Sequence, residues 1–314
     1  MADLNKVYDV VMIGAGPSSL AAAVYTTRED IDTLLIEKGA IGGLAAITDI
    51  VDNYPGFSKG VKGLELADEL QAQAERFGAK IEFGEVTDLE DKGEFKVVTT
   101  TDGVLNAKTV LIGTGSAYKM LGIPGEQQYY GRGVHYCATC DGAFYRDKRL
   151  VVVGGGNSAV QEALFLTRYA SHIEMLVRSS ITASEVLQHE LQKYIDDGKI
   201  TVHLNTSIRE ILATDNKVTS VAASSDGQPV QIETDGVFVF IGLIPNTGFL
   251  KDTSVALDDF GFIKTDKHLM TAIPGVFASG DVRSGATMQI ASAVGEGATA
   301  ALSIREYLEG RLGI

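Results

Sequence analysis

The chain has 314 residues, a formal net charge of −14, 35 glycines, two cysteines and no tryptophan. That length suggests two domains, and 45% hydrophobic against 22% charged residues excludes a disordered chain. The acidic balance excludes a basic phosphate-binding surface, and with it nucleic acid and anionic membranes as partners. No apolar run approaches the roughly 20 residues of a membrane span. The start MADLNKVYDV has no secretory h-region, so a cytoplasmic location is expected. Average usage of about 7% would give roughly 22 glycines, so the excess needs a structural reason.

In chain order, residues 7–13 are predicted to form a buried strand that runs into GAGPSS, and a helix is predicted over 20–27. Residues 33–37 form a second strand ending on an acid. This order of strand, glycine turn, helix and strand is a dinucleotide-binding start. Gly14 and Gly16 let a pyrophosphate approach the backbone at the helix N-terminus, and Glu37 can accept from ribose hydroxyls. Ser19 takes the third glycine position and is still small enough for helix–strand packing. An amphipathic helix is predicted over 63–77, with strands over 80–83, 95–99 and 110–113. The pattern then restarts 140 residues on: strand 149–153, GGGNSA (Gly154, Gly156, Ala159), helix 160–167 and strand 173–177. Arg178 then stands where Glu37 stood, a cation suited to a 2′-phosphate. Strands over 236–241 and 274–278 and a helix over 290–308 complete the reading. Two such phosphate-binding turns explain much of the glycine excess.

The two cysteines form a single C-x-x-C, Cys137-Ala138-Thr139-Cys140, followed by Asp141. Such a pair closes a small reducible disulfide, and the neighbouring carboxyl can shuttle a proton to or from a thiolate. A zinc site lacks ligands, with only His135 nearby. A structural staple does not suit a reducing compartment, and inert buried thiols need no such spacing. Redox chemistry is the reading that remains. Gly56-Phe57-Ser58-Lys59-Gly60 matches a hydrolase nucleophile motif but lacks the strand that should precede it, so it reads as a loop. The five histidines show no metal-ligand spacing, so no metal is expected.

GRGVHYCATCDGAFYRDKRLVVVGGGNSA, together with GAGPSSLAAAVYT, DNYPGF, TGSAYKMLGIPGE and ASGDVRSGATMQIASAVGEGATAAL, resembles the low-molecular-weight thioredoxin reductases over nearly the whole chain. The resemblance implies an α/β fold of two Rossmann-like, three-layer nucleotide-binding domains. The nicotinamide domain, 117–247, would be inserted in an FAD domain made of 1–116 and 248–314. It implies Cys140 as the thiol facing the flavin, Cys137 as the thiol that attacks the partner disulfide, and Asp141 as the acid–base group. FAD would be held by Gly14, Gly16, Pro17, Ser18, Glu37, Gly42, Gly43, Leu44, Asn53, Thr114, Gly115, Asp281, Met288, Gln289 and Ile290. The nicotinamide nucleotide, NADPH or NADH, would lie on Gly154, Gly156, Asn157, Ser158 and Arg178.

The implied enzyme is a homodimer that reduces thioredoxin or a thioredoxin-like protein. It would rotate one domain against the other on hinges near 116–119 and 245–248.

The chain departs from the family pattern in three places. Only Arg178 remains of three arginines that grip the 2′-phosphate; Leu44 and Ile290 replace polar or small residues by the flavin; and His135 replaces a Ser or Thr beside the C-x-x-C. The alternatives are the same machinery with NADH, ferredoxin or oxygen as donor or acceptor, or a flavin redox sensor that does not turn over.

Overall fold

A computed structural model describes residues 3–48 and 50–312. The chain divides into two units, Met1–Ala117 with Ile244–Ile314, and Tyr118–Leu243. These boundaries lie one residue after and four residues before the ones expected from the sequence. The described residues hold six α-helices: α1 (Pro17–Arg28), α2 (Gly63–Arg76), α3 (Ala138–Asp141), α4 (Asn157–Leu166), α5 (Glu185–Asp196) and α6 (Ile290–Leu308).

The discontinuous unit is organised by strand Val7–Ile13, which is flanked by parallel strands Thr33–Glu37 and Gly103–Ile112. Lys80–Phe83 extends the parallel sheet beyond Thr33–Glu37. Gly103–Ile112 gives one edge to Val7–Ile13 and divides the other: its start pairs antiparallel with Lys96–Thr100, and its end pairs parallel with Val276–Ala278. A strand buried on both faces must be apolar on both. Val10 and Met12 accordingly join Leu20, Leu66, Phe277 and Ile304 on the helical side, while Val11 and Ile13 join Val98, Leu105 and Val276 on the other. Helix α1 begins three residues earlier than predicted, because Pro17 presets the first helical turn.

The continuous unit has an all-parallel sheet in the order Val134–His135, Gly236–Val239, Arg149–Val153, His172–Leu176, Ile200–His203. Helices α4 and α5 cover one face. An antiparallel meander, Thr206–Thr214, Lys217–Ser225 and Gln228–Glu233, contributes Ile208, Ile211 and Val221 to the other. Both units are thus the α/β, Rossmann-like arrangement expected. The sequence reading missed α5 and the meander. The meander's turns were nonetheless readable: Asp215-Asn216 and Asp226-Gly227 all have positive φ, as two-residue hairpins require.

Helix α6 lies directly on α1. A Cβ on Gly297 would sit 2.1 Å from the Ser18 carbonyl oxygen, so only glycine allows this approach. Gly295, two residues earlier, has open space around its Cβ position. Opposite outcomes are therefore expected within one helix. Gly297→Ala should destabilise the protein by ~1–3 kcal/mol through backbone displacement, while Gly295→Ala should stabilise it by up to ~1 kcal/mol. Thermal unfolding of both variants checks this.

Candidate functional site

The first glycine turn is built by strand geometry. Gly14, at φ +95°, donates its N–H to the Ile36 carbonyl at 2.8 Å, and a Cβ on it would lie 2.7 Å from the Gly113 carbonyl oxygen. Ser19 is tolerated in the third position because Gly113 stands opposite: a Cβ on Gly113 would meet Ser19 Oγ at 2.1 Å. Helix α1 opens with Gly16 as its cap and Pro17 in its first turn; it has no capping side chain and no acid there. Its free N–H groups can therefore receive an anion. The Glu37 carboxylate is fixed by two backbone donors, Ala15 N–H at 2.7 Å and Gly39 N–H at 2.8 Å. Each of its oxygens retains a lone pair for a ribose hydroxyl. A cleft of about 510 Å³ is lined by Gly14, Glu37, Lys38, Thr87, Thr114 and Asn246, among others.

The other expected flavin residues gather in the same unit. Gly42 donates to the Ala15 carbonyl at 2.8 Å, and its φ of +91° brings it against Ala67 of α2. Gly43 follows at φ +55°, with open space at its Cβ position, and Leu44 is half-buried. Thr114 and Gly115 are strapped to Asn246: Thr114 Oγ1 donates to the Asn246 carbonyl at 2.9 Å, and Asn246 N–H to the Gly115 carbonyl at 3.0 Å. Asn53 and Gln289, 236 residues apart, share a hydrogen bond of 3.0 Å. Gln289 caps α6 between Met288, at φ +58°, and Ile290.

Ser18 Oγ meets Ser279 Oγ at 2.6 Å, which brings Gly280 and Asp281 to the start of α1. The Asp281 carboxyl makes no hydrogen bond among the described residues, and burial together with Glu296 raises it to about 6. A glycine cradle, an acid with free lone pairs and a half-buried carboxyl without a hydrogen bond among the described residues suit a dinucleotide with hydroxyl donors. The residues present fit a flavin dinucleotide.

The second turn repeats the first in detail. Gly154, at φ +138°, donates to the Leu176 carbonyl at 3.1 Å, 22 residues on, as Gly14 does to Ile36. A Cβ on Gly154 would lie 2.4 Å from the Phe240 carbonyl oxygen. Gly156 caps α4, again with no side-chain cap, and Asn157 and Ser158 open the helix. This register corrects the sequence reading. Val177, 2% exposed, is the counterpart of Glu37, and Arg178 lies one residue further on, exposed and without an ion-pair partner among the described residues. An apolar side chain thus stands where the first turn has its acid. The loop that follows is tied to the turn, with Thr182 N–H donating to the Gly155 carbonyl at 2.7 Å and Ser184 N–H to Asn157 Oδ1 at 2.8 Å.

In the same unit Cys137 and Cys140 are joined in a disulfide. Cys137 caps α3 and its Sγ accepts the Cys140 N–H at 3.2 Å, a contact that favours negative charge on this sulfur once the bond is reduced. Asp141 ends the helix, with Oδ2 3.1 Å from His135 Nδ1. Three residues missed in the sequence complete the surroundings. Buried Glu126 accepts from Leu121 N–H, Gly122 N–H and the Tyr136 hydroxyl, which ties the approach segment down. Glu162 of α4 accepts the Ala138 N–H at the start of α3, and burial raises its pKa. Tyr145 Oη lies 2.7 Å from His135 Nε2.

The comparisons agree with this geometry. The sequence pattern of the pyridine nucleotide-disulphide oxidoreductases matches residues 8–297. A thioredoxin reductase of Listeria innocua is 42% identical over 312 residues, covering 98% of this chain and 96% of the relative. One of Bacillus subtilis is 40% identical over 308 residues, covering 97% and 96%. The crystal structure of thioredoxin reductase from Streptococcus pyogenes superposes with a TM-score of 0.92 at 41% identity, covering 98% of this chain and 99% of that one. Two matching glycine turns and one C-x-x-C disulfide thus place the chain in the pyridine nucleotide-disulphide oxidoreductase family, among the low-molecular-weight thioredoxin reductases.

Proposed function

We propose that the chain is an FAD-dependent thioredoxin reductase, which moves an electron pair from a nicotinamide dinucleotide through the flavin to the Cys137–Cys140 disulfide and on to thioredoxin or a thioredoxin-like protein. The observation that carries this reading is the C-x-x-C disulfide, with Asp141 beside it, in the unit that also holds the second glycine turn. Bound nicotinamide supplies a hydride, and bound flavin passes its electron pair to a disulfide.

In this reading the discontinuous unit is the FAD domain and the continuous unit the nicotinamide domain. The α1 N–H groups receive the pyrophosphate, Glu37 the ribose and Asp281 a hydroxyl of the chain that links pyrophosphate to flavin. Asn53 and Gln289, held together, present amide groups to the ring, while Leu44 and Ile290 exclude water beside it. Gly154, Gly156, Asn157 and Ser158 cradle the nicotinamide nucleotide, and Arg178 pairs with its phosphate. Cys137 attacks the partner disulfide, Cys140 resolves the mixed disulfide, and Asp141 moves the protons. The protein acts as a homodimer in the cytoplasm. Among the described residues no helix is long and apolar enough to cross a membrane.

NADPH is the first donor reading, because Val177 leaves room for a 2′-phosphate and Arg178 is free to bind it. A lone arginine followed by Ser179 and Ser180 favours NADH as the second.

Anaerobic titration of the yellow protein separates the donors. NADPH at micromolar levels should bleach the flavin and NADH should do so more weakly. Bleaching by neither would instead point to ferredoxin or oxygen chemistry, and bleaching without turnover of thioredoxin to a sensor.

Cys137→Ser should abolish thioredoxin reduction while leaving nicotinamide-driven flavin reduction unchanged; retained thioredoxin reduction would overturn the assignment of the two thiols.

Asp281 supplies a pH signature in protein stripped of flavin. The folded carboxyl titrates at about 6 and the unfolded one near 3.8, so the fold binds this proton more tightly. The stability contributed by this group is therefore full below about pH 4 and is lost, by ~1–3 kcal/mol, as pH rises through about 6. Asp281→Asn should remove that fall and weaken flavin retention, as read by unfolding across pH and by flavin content.

A further inference from the structure

We propose that His135 and Tyr145 are positioning residues for Asp141, forming with it a hydrogen-bonded chain that fixes the orientation of the carboxylate exchanging protons with the Cys137/Cys140 dithiol. This deepens the proposed reductase function and rests on that reading. His135 lies on strand Val134–His135, two residues before Cys137, and its side chain is 6% exposed against 21% for Asp141. Nδ1 is 3.1 Å from Asp141 Oδ2, and Nε2 is 2.7 Å from Tyr145 Oη.

The donors in this chain can be assigned by elimination. An ionised carboxylate only accepts, and a neutral imidazole carries one N–H. Burial, reinforced by the charges of Asp141 and Asp235, keeps the Tyr145 phenol protonated, so the phenol has a hydrogen to give. With a neutral imidazole, the arrangement that satisfies all three groups has Tyr145 O–H donating to Nε2 and Nδ1–H donating to Asp141. Both hydrogen bonds point toward the carboxylate.

The imidazole is also clamped. Phe238 stacks on it with ring centroids 5.1 Å apart, and Tyr145 meets it edge-on at 5.3 Å. Tyr145 in turn sits where a Cβ on Gly236 would come within 2.4 Å of its ring, so that glycine opens its berth. The remaining ionisable groups around the chain are Asp235, which acts on Tyr145, Tyr130, which feels Asp141, and Glu162 on the first N–H of α3. No lysine or arginine pairs with Asp141 among the described residues. The imidazole takes the place a cation would fill.

Exchange between the dithiol and a partner disulfide is balanced without further reactants. The Cys137–Cys140 bond forms as the partner S–S bond breaks, and two electrons pass to the partner. The proton lost by the attacking Cys137 thiol goes to the Asp141 carboxylate and returns to the partner's first leaving sulfur. The Cys140 proton follows the same route to the second. With one carboxylate oxygen held by Nδ1–H, the other is kept free to accept the thiol proton. Without the phenol, Nε2 is left unpaired and can take the hydrogen from Nδ1. The Nδ1 lone pair then faces the carboxylate, and the contact that holds Asp141 in place is lost.

The test uses full-length, flavin-loaded protein, reduced with dithiothreitol, freed of it anaerobically and mixed with dithiobis-nitrobenzoate. Thionitrobenzoate release in a single turnover is followed from about pH 5 to about pH 9, with the flavin spectrum and nicotinamide-driven flavin reduction as controls for folding. Asp141→Asn should slow release at neutral pH by about tenfold or more. Tyr145→Phe, a change of one atom, should slow it about three- to tenfold. His135→Leu should slow it at least as far. His135→Asn, whose amide N–H can take the place of Nδ1–H, should restore the rate at neutral pH to within about threefold. An unchanged rate in Tyr145→Phe, an unchanged rate in Asp141→Asn, or His135→Asn as impaired as His135→Leu would each overturn the proposal. If His135→Leu fails to fold, Tyr145→Phe decides. Separately, wild type that reacts with the reagent but not with thioredoxin would sink the reductase reading and leave this one standing.

Discussion

Twice in this chain a strand leaves its sheet through a glycine with no room for a side chain. At Gly14 the obstacle is the Gly113 carbonyl, and at Gly154 it is the Phe240 carbonyl. The missing Cβ lets the strand turn directly into a helix whose first N–H groups have no internal partner. The residues proposed to recognise a dinucleotide are arranged around those turns. In the discontinuous unit the neighbouring strand ends on Glu37, which backbone donors hold in place, and the return of the chain at Ser279 delivers Asp281 to the same helix end. In the continuous unit the equivalent strand, His172–Leu176, is followed by apolar Val177, so the two turns share a backbone but differ in the side chain beside them.

The disulfide depends on a different kind of order. Cys137 caps, and Cys140 sits on, a helix of only four residues, which cannot hold itself together by its own hydrogen bonds. Its position comes from groups around it: Glu162 on the first N–H, Asp141 paired to His135, and Glu126 anchoring the segment that leads in. Glu126 is buried with no cation partner among the described residues, and three hydrogen-bond donors compensate its charge. A redox group that is made and broken in each cycle is thus held by contacts that do not involve its sulfurs.

The backbone features were legible in the sequence because each rests on local chemistry. GAGPSS and GGGNSA announce turns by the residues that alone can make them, and the C-x-x-C pairs two sulfurs three residues apart. What the sequence hid was longer-range or depended on register. Arg178 looked like the counterpart of Glu37 by counting from the strand, yet the Gly154 to Leu176 hydrogen bond puts Val177 there. Ser19 looked like a weakened motif, but the glycine it lacks stands opposite it at Gly113. His135 was visible as an unusual neighbour of the cysteines. Its partner Tyr145 was not, since an aromatic residue ten positions away reads as core until the fold brings it round. The meander was missed in part because its last strand, Gln228–Glu233, holds no fully buried residue, although its Asp-Asn and Asp-Gly turns were there to be read.

The central claim is that one chain holds two redox centres in series, a flavin and the Cys137–Cys140 disulfide. Stepwise anaerobic reduction of the purified protein with dithionite, followed by flavin absorbance, counts those centres directly. Wild type should take up four electrons per chain before reduction is complete, two for the flavin and two for the disulfide, and Cys140→Ser should take up two. Uptake of only two electrons by wild type would contradict the account.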